Sequence, residues 1–279
     1  MPITIPLDRV EDRLRGGALW TTGWGTPEDP EDMTCLHGAI RYCQLVPGDA
    51  YLIEQVGNRH GFGLTDNDTS PSWEDLRPKV PAVVTDDMLA DTFGPQWPQV
   101  VALVRRAAVL SAKEVKQLAA ARDAAWSAPD WVAAGVALTP TGAPVGAVAE
   151  QQLAASDAVW AAAWGTAWGA AVAEQLFTVW ADAPAAAWAD AARAAARALT
   201  IRHLIGVHGF TQAHYDTRTG PWRTVIGPAH PDDVQAGTSH SLDDKQGVDW
   251  DSPTWGQPGH NVHESSVGSW LPEKTTDEE

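Results

Sequence analysis

A chain of 279 residues with a formal net charge of −17 can bury a sizeable core, and it is too acidic to grip nucleic-acid phosphates through counterion release. Alanine supplies much of its 44% apolar content, so the core must lean on fifteen tryptophans and on close Ala packing. Two cysteines and a start, Met-Pro-Ile-Thr-Ile-Pro, without a basic-then-apolar leader pattern point to a reducing cytoplasm.

Residues 1–80 read as a small module of short helices. Leu7, Val10, Leu14 and Leu19 form one apolar face, which Gly16-Gly17 would end. Thr34 suits the N-cap of a helix running through Cys35, Ala39, Ile40 and Cys43. Tyr51, Leu52, Ile53 and Val56 suit a second helix, stopped at Gly57-Asn58, and Asp66-Asn67-Asp68-Thr69 reads as a turn. Ser72 starts a short helix that closes before Pro78.

Residues 81–110 form a connector whose proline-rich first part, 81–98, carries a short helix near Asp86 to Phe93. In residues 111–233, Ser111-Ala112-Lys113-Glu114 is a capping box that starts a helix to about Trp126. Asp130 would cap another through Leu138, and residues 139–144 form a loop. Residues 119–200 contain 34 Ala and 7 Trp, which predicts a long helical element from Val145 to about Gly206. Trp160, Trp164, Trp168, Trp180 and Trp188 fall on a spacing of four in this element and are the expected interaction residues. A step of four drifts by about 40° on a helix, so the row cannot face one partner, and Pro184 is the expected break. Gly209 would close the helical run and Thr211 would cap the next helix. Residues 234–279 are acidic and rich in Gly, Ser and Pro, so disorder is expected. The fold expected is all-α: the N-terminal module, then Ala/Trp helices packed as a hairpin or bundle. The longest uncharged stretch, Ala158 to Ala173, is 16 residues and too short to span a membrane.

Two segments resemble known families. Trp24-Gly25, Cys35-Leu36-His37-Gly38-Ala39-Ile40, Asp66-Asn67-Asp68 and Ser72-Trp73-Glu74-Asp75-Leu76 are similar to a small domain of unknown function from actinobacteria and their phages. That resemblance covers residues 5–80. The run from His208-Gly209-Phe210 through Ile226-Gly227-Pro228 to Asp233 resembles the ends of uncharacterised Ala/Trp-rich actinobacteriophage proteins. Both imply a phage-type setting and neither implies an activity.

Chemistry is sparse. Ala229-His230-Pro231-Asp232-Asp233 shares its letters with zinc-dependent N-deacetylases, but lies near the C-terminus with no αβ alternation around it. His203, His208, His214, Asp216, His230 and Asp232 are the candidate metal ligands, with zinc the ion they would take. The leading expectation is a non-catalytic accessory protein with no cofactor, acting on a protein partner or on its own copies. A metal-dependent hydrolase and an acidic mimic that binds a basic host protein are the alternatives.

Overall fold

The chain starts by pairing with a segment eighty residues away. In the computed structural model, strand β1 (Ile3–Thr4) lies antiparallel to β2 (Val83–Val84), with Ile3 opposite Val84. The structure describes residues 2–22, 33–44, 46–136, 145–173 and 184–233; for residues 145, 163–173 and 184–188 it describes the backbone alone. The expected loop at 139–144 and the acidic tail lie outside the described residues. Everything else of regular structure among the described residues is helical, so the fold is all-α.

Helix α1 (Leu7–Leu14) buries Val10 and Leu14 and ends where Arg15 and Gly16 turn left-handed. Helix α2 (Leu36–Cys43) is capped by Cys35, whose Sγ accepts from the Gly38 amide at 3.3 Å. Thr34, the expected cap, is spent on a backbone bridge, donating to Leu19 O at 2.8 Å. Helix α3 (Asp49–His60) runs past Gly57-Asn58 and stops at the left-handed Gly61. Gly57 serves packing: a Cβ there would meet the Phe62 ring at 3.0 Å. Residues expected as a turn form helix α4 (Leu64–Thr69), where the Asp66 carboxylate caps the Gly63 amide at 3.0 Å. Ser72 caps α5 (Trp73–Leu76), as its sequence predicts.

The later elements follow their sequence signals closely. Thr85 caps α6 (Asp86–Phe93), and α7 (Trp97–Ala107) follows. The Ser111/Glu114 capping box starts α8 (Ala112–Trp126). Helix α9 (Pro129–Val136) begins on a proline, which places Asp130 in its first turn and not at its cap. The Ala/Trp element is two helices, α10 (Val145–Ala173) and α11 (Pro184–Thr200), the second starting at the proline that marks the break. The run ends at Thr200, short of Gly206, and Gly209 sits with His208 in the left-handed turn beyond it. Thr211 caps α12 (Gln212–Val225), reciprocally with His214.

Helix α10 is the common wall. It packs on α3, α6 and α7, and on α11, while α11 also packs on α8 and α12, and α9 on α12. One buried apolar cluster runs from Ile3 to Ala229. Its centre is an alanine seam, Ala155, Ala158 and Ala162 with Ala191, Ala192, Ala195 and Ala196. Methyl-sized side chains let helix axes approach at the short end of the ~8–10 Å range.

Candidate functional site

The C-terminal His/Asp segment folds into a clasp. Tyr215 on α12 is fully buried and donates from its hydroxyl to Asp233 Oδ2 at 3.0 Å. The same oxygen accepts from the Ala229 and His230 amides at 3.2 and 3.0 Å. Burial, reinforced by Asp233, raises the Tyr215 pKa, so the phenol remains a donor. Arg202 reaches Asp232 Oδ2 at 3.1 Å and stacks over the Tyr215 ring at 5.3 Å. His230 is buried; its Nε2 faces Gln96 Oε1 at 3.0 Å and its Nδ1 accepts from the Asp232 amide at 3.2 Å. That pairing fixes the tautomer with the proton on Nε2, and burial followed by Arg202 lowers the imidazole pKa. The clasp therefore ties residues 229–233 to α12, to the segment after α11 and to the residue before α7.

The other expected ligands lie elsewhere. His214 Nδ1 accepts from the Thr211 amide at 3.3 Å, and its ring sits 6.2 Å from Phe210. Asp216 accepts from Arg223 at 2.8 Å and from Gln212 at 3.0 Å. His203 is exposed, and His208 occupies the left-handed turn. Among the described residues no three His, Cys, Asp or Glu side chains come together as a metal-binding group.

Of the tryptophan row, Trp160 is half-buried, with the Arg193 guanidinium 5.1 Å from its ring centre. Trp164, Trp168 and Trp188 have their backbones in α10 and α11; their side chains, and the whole of Trp180, lie outside the described residues.

What the sequence reading missed is an arginine–tryptophan face on α8, α9, α11 and α12. Arg122 lies 4.1 Å over the Trp126 ring and donates to Asp190 at 2.9 Å. Arg193 sits 3.9 Å from the same Asp190. Arg218 lies 4.3 Å over Trp131, which is buried with an indole N–H that meets no acceptor. Burial first, then the like charge of Arg197, pulls the Arg218 pKa down to about 10, against the opposing pull of Asp190. No hydrogen bond or ion pair joins the Arg197 or Arg218 side chain to a carboxylate among the described residues. Asp190, Arg193 and Arg197 share a helical stripe that the sequence displays; that Arg218 arrives beside them from α12 is a tertiary fact. At the α8–α9 corner, Trp126, Val132 and Val136 are 54%, 64% and 71% exposed.

Two further features lie in the N-terminal half. A cavity of about 280 Å³ opens among Arg41, Gln44, Pro47, Tyr51, Ala108 and Ala162, with Arg41 paired to Glu54 at 2.5 Å. Asn67 joins two of the segments that carry the N-terminal resemblance, Asp66-Asn67-Asp68 and Cys35 to Ile40, and Trp24-Gly25 lies outside the described residues. The Asn67 Oδ1 accepts from Trp20 Nε1 at 2.9 Å and from the Leu36 amide at 3.0 Å.

Compared with known proteins, the chain matches no family model, no curated protein and no solved structure. Among the described residues no helix is long and apolar enough to cross a membrane.

Proposed function

We propose that this chain is a non-catalytic, phage-type accessory protein that works by contact with another protein chain or by self-assembly. The observation that carries the reading is the α8–α9 corner, where Trp126, Val132 and Val136 stay exposed while Trp131, five residues from Trp126, is buried. Large exposed apolar side chains gathered at one corner are what a partner covers. Arg122 stacked on Trp126 supplies the aromatic and guanidinium pairing typical of interface anchors. The His/Asp segment supports the same direction, because His230, Asp232 and Asp233 are engaged with Gln96, Arg202 and Tyr215. The phage-type setting rests on the sequence resemblance alone.

The test is a triple variant, Trp126→Ala/Val132→Asp/Val136→Asp, which changes only exposed positions. Sedimentation velocity over a concentration series and affinity capture from an actinobacterial lysate should give an oligomer or a discrete complex for the native chain. The variant should lose it while keeping the native helical spectrum. A native chain that stays monomeric and captures nothing, or a variant that assembles as well as the native chain, rejects the reading.

A further inference from the structure

The cavity of the N-terminal half holds a hydrogen-bond acceptor that the fold leaves unused. The ends of α2 and α7, the first turn of α3 and the middle of α10 wall it. Arg41, Gln44 and Tyr51 supply its polar lining, and Val46, Ala108 and Ala162 supply apolar lining. Gln44 Oε1 is buried and meets no donor among the described residues. A buried acceptor left unmet costs free energy that a bound molecule can return. Arg41 is the charged group of the wall; Glu54 pairs with it at 2.5 Å, and its guanidinium lies 5.1 Å from the Tyr51 ring centre. Burial raises the Tyr51 pKa, so the phenol stays a donor. The wall is held in place from behind. Arg105 pairs with the buried Asp49 at 2.6 Å, and Gly48 sits so close to α7 that a Cβ there would meet Arg105 Cα at 3.0 Å.

We propose that this cavity binds a small, neutral, bicyclic heterocycle whose ring N–H donates to Gln44 Oε1. Size sets the two rings. A cavity of about 150 Å³ accepts benzene, and this one measures about 280 Å³. Charge sets the neutrality. Glu54 already neutralises Arg41, and an anion would have to compete with that carboxylate while facing the Gln44 oxygen. Hydrogen bonding sets the heteroatoms. A hydrocarbon would fill the Val46, Ala108 and Ala162 side and leave Gln44 Oε1 unmet, whereas a ring N–H satisfies it and a ring nitrogen can accept from the Tyr51 hydroxyl. The site is built from other helices than the α8–α9 corner, so small-molecule binding and partner contact can each fail without the other.

The test titrates two probes into the isotope-enriched full chain: benzimidazole, which carries a ring N–H and a ring acceptor, and N-methylbenzimidazole, which lacks the donor. Benzimidazole should shift the Tyr51 and Ala108 amide signals with a Kd on the order of 0.1–1 mM, as expected for about ten non-hydrogen atoms. N-methylbenzimidazole should bind about tenfold more weakly, because the buried acceptor then stays unmet. In Gln44→Met the two probes should bind alike, since the acceptor is gone. Ala108→Leu, which fills the cavity, should abolish binding of both. Helical spectra report whether the variants fold, and the comparison of the two probes on the native chain needs no variant. Equal affinity for the two probes in the native chain overturns the proposal, and so does a preference that persists in Gln44→Met. Shifts confined to residues away from the cavity overturn it too. So does the absence of any shift at about 5 mM benzimidazole, well above the expected Kd, which would assign the cavity to water.

Discussion

Asn67 uses every hydrogen-bonding position of its amide. Beyond the two bonds its oxygen accepts, its nitrogen donates to Thr21 O at 3.2 Å and to Asp68 Oδ1 at 3.3 Å. Asn67→Ala would orphan the buried Leu36 amide and the half-buried Trp20 indole, and each such loss costs about 1–3 kcal/mol. Denaturant titration should show a fall of about 3 kcal/mol; a change under 1 kcal/mol would mean the network is replaceable. The sequence hides this role because Asp-Asn-Asp-Thr is turn chemistry on its own. The partner that makes it a helix and a hub, Trp20, is 47 residues away. His37 is a second buried polar residue, its pKa held at about 4 by burial and then by Arg41. The folded imidazole therefore resists protonation that the unfolded chain accepts near pH 6.5. Its contribution is present above pH 6.5 and is lost as pH falls toward 4, by about 1.4 kcal/mol per pH unit at most. The stability difference between native and His37→Gln chains should shrink or reverse across that window, and a difference independent of pH would show that His37 carries no linkage.

Elements were legible where their ends are chemically marked. The capping box at Ser111 and the proline at 184 place α8 and the start of α11. They failed where an end is set by something distant. Gly57 reads as a stop, yet α3 continues because Phe62 folds back over that glycine. The β1–β2 pair could not be read at all, since two-residue strands carry no periodicity. The sharpest close approach lies between α3 and α4, where a Cβ on Gly63 would fall 2.2 Å from Asn58 Oδ1 and 2.5 Å from its Cα. The backbone of Gly63 is ordinary extended chain, at φ −80°, so the clash alone sets the cost. Gly63→Ala should lower stability by about 1–3 kcal/mol, as overpacking does. Gly146→Ala, exposed in the first turn of α10 with nothing within 4 Å, should instead raise it by about 0.5 kcal/mol. Thermal melts of the two variants should move in opposite directions; movement in the same direction would mean the Asn58 contact relaxes without cost.

The molecule is assembled around alanine more than around tryptophan. The sequence makes the tryptophan row conspicuous, but the buried positions of α10 and α11 include Ala155, Ala158, Val159, Ala162, Ala191, Ala192, Ala195 and Ala196 among the described residues. Trp160 stands at the margin of that seam, under Arg193. Composition alone could not separate these roles, because alanine marks helix equally well on a core face and on a solvent face. The arginine–tryptophan face was illegible for a related reason: Arg122, Arg193 and Arg218 belong to three helices, and only the packing of α11 against α8 and α12 gathers them. A seam of methyl groups has no room to give. Ala195→Leu adds three carbons where the native side chain is fully buried, and so must push α10 and α11 apart. Because α10 also walls the N-terminal helices and α11 also holds α8 and α12, the strain should spread to both halves. The expected loss is about 1–3 kcal/mol, seen alike in the helical signal and in the tryptophan fluorescence. If the helical signal and the fluorescence instead melt at separate temperatures in this variant, α10 and α11 are not the shared wall that the packing describes.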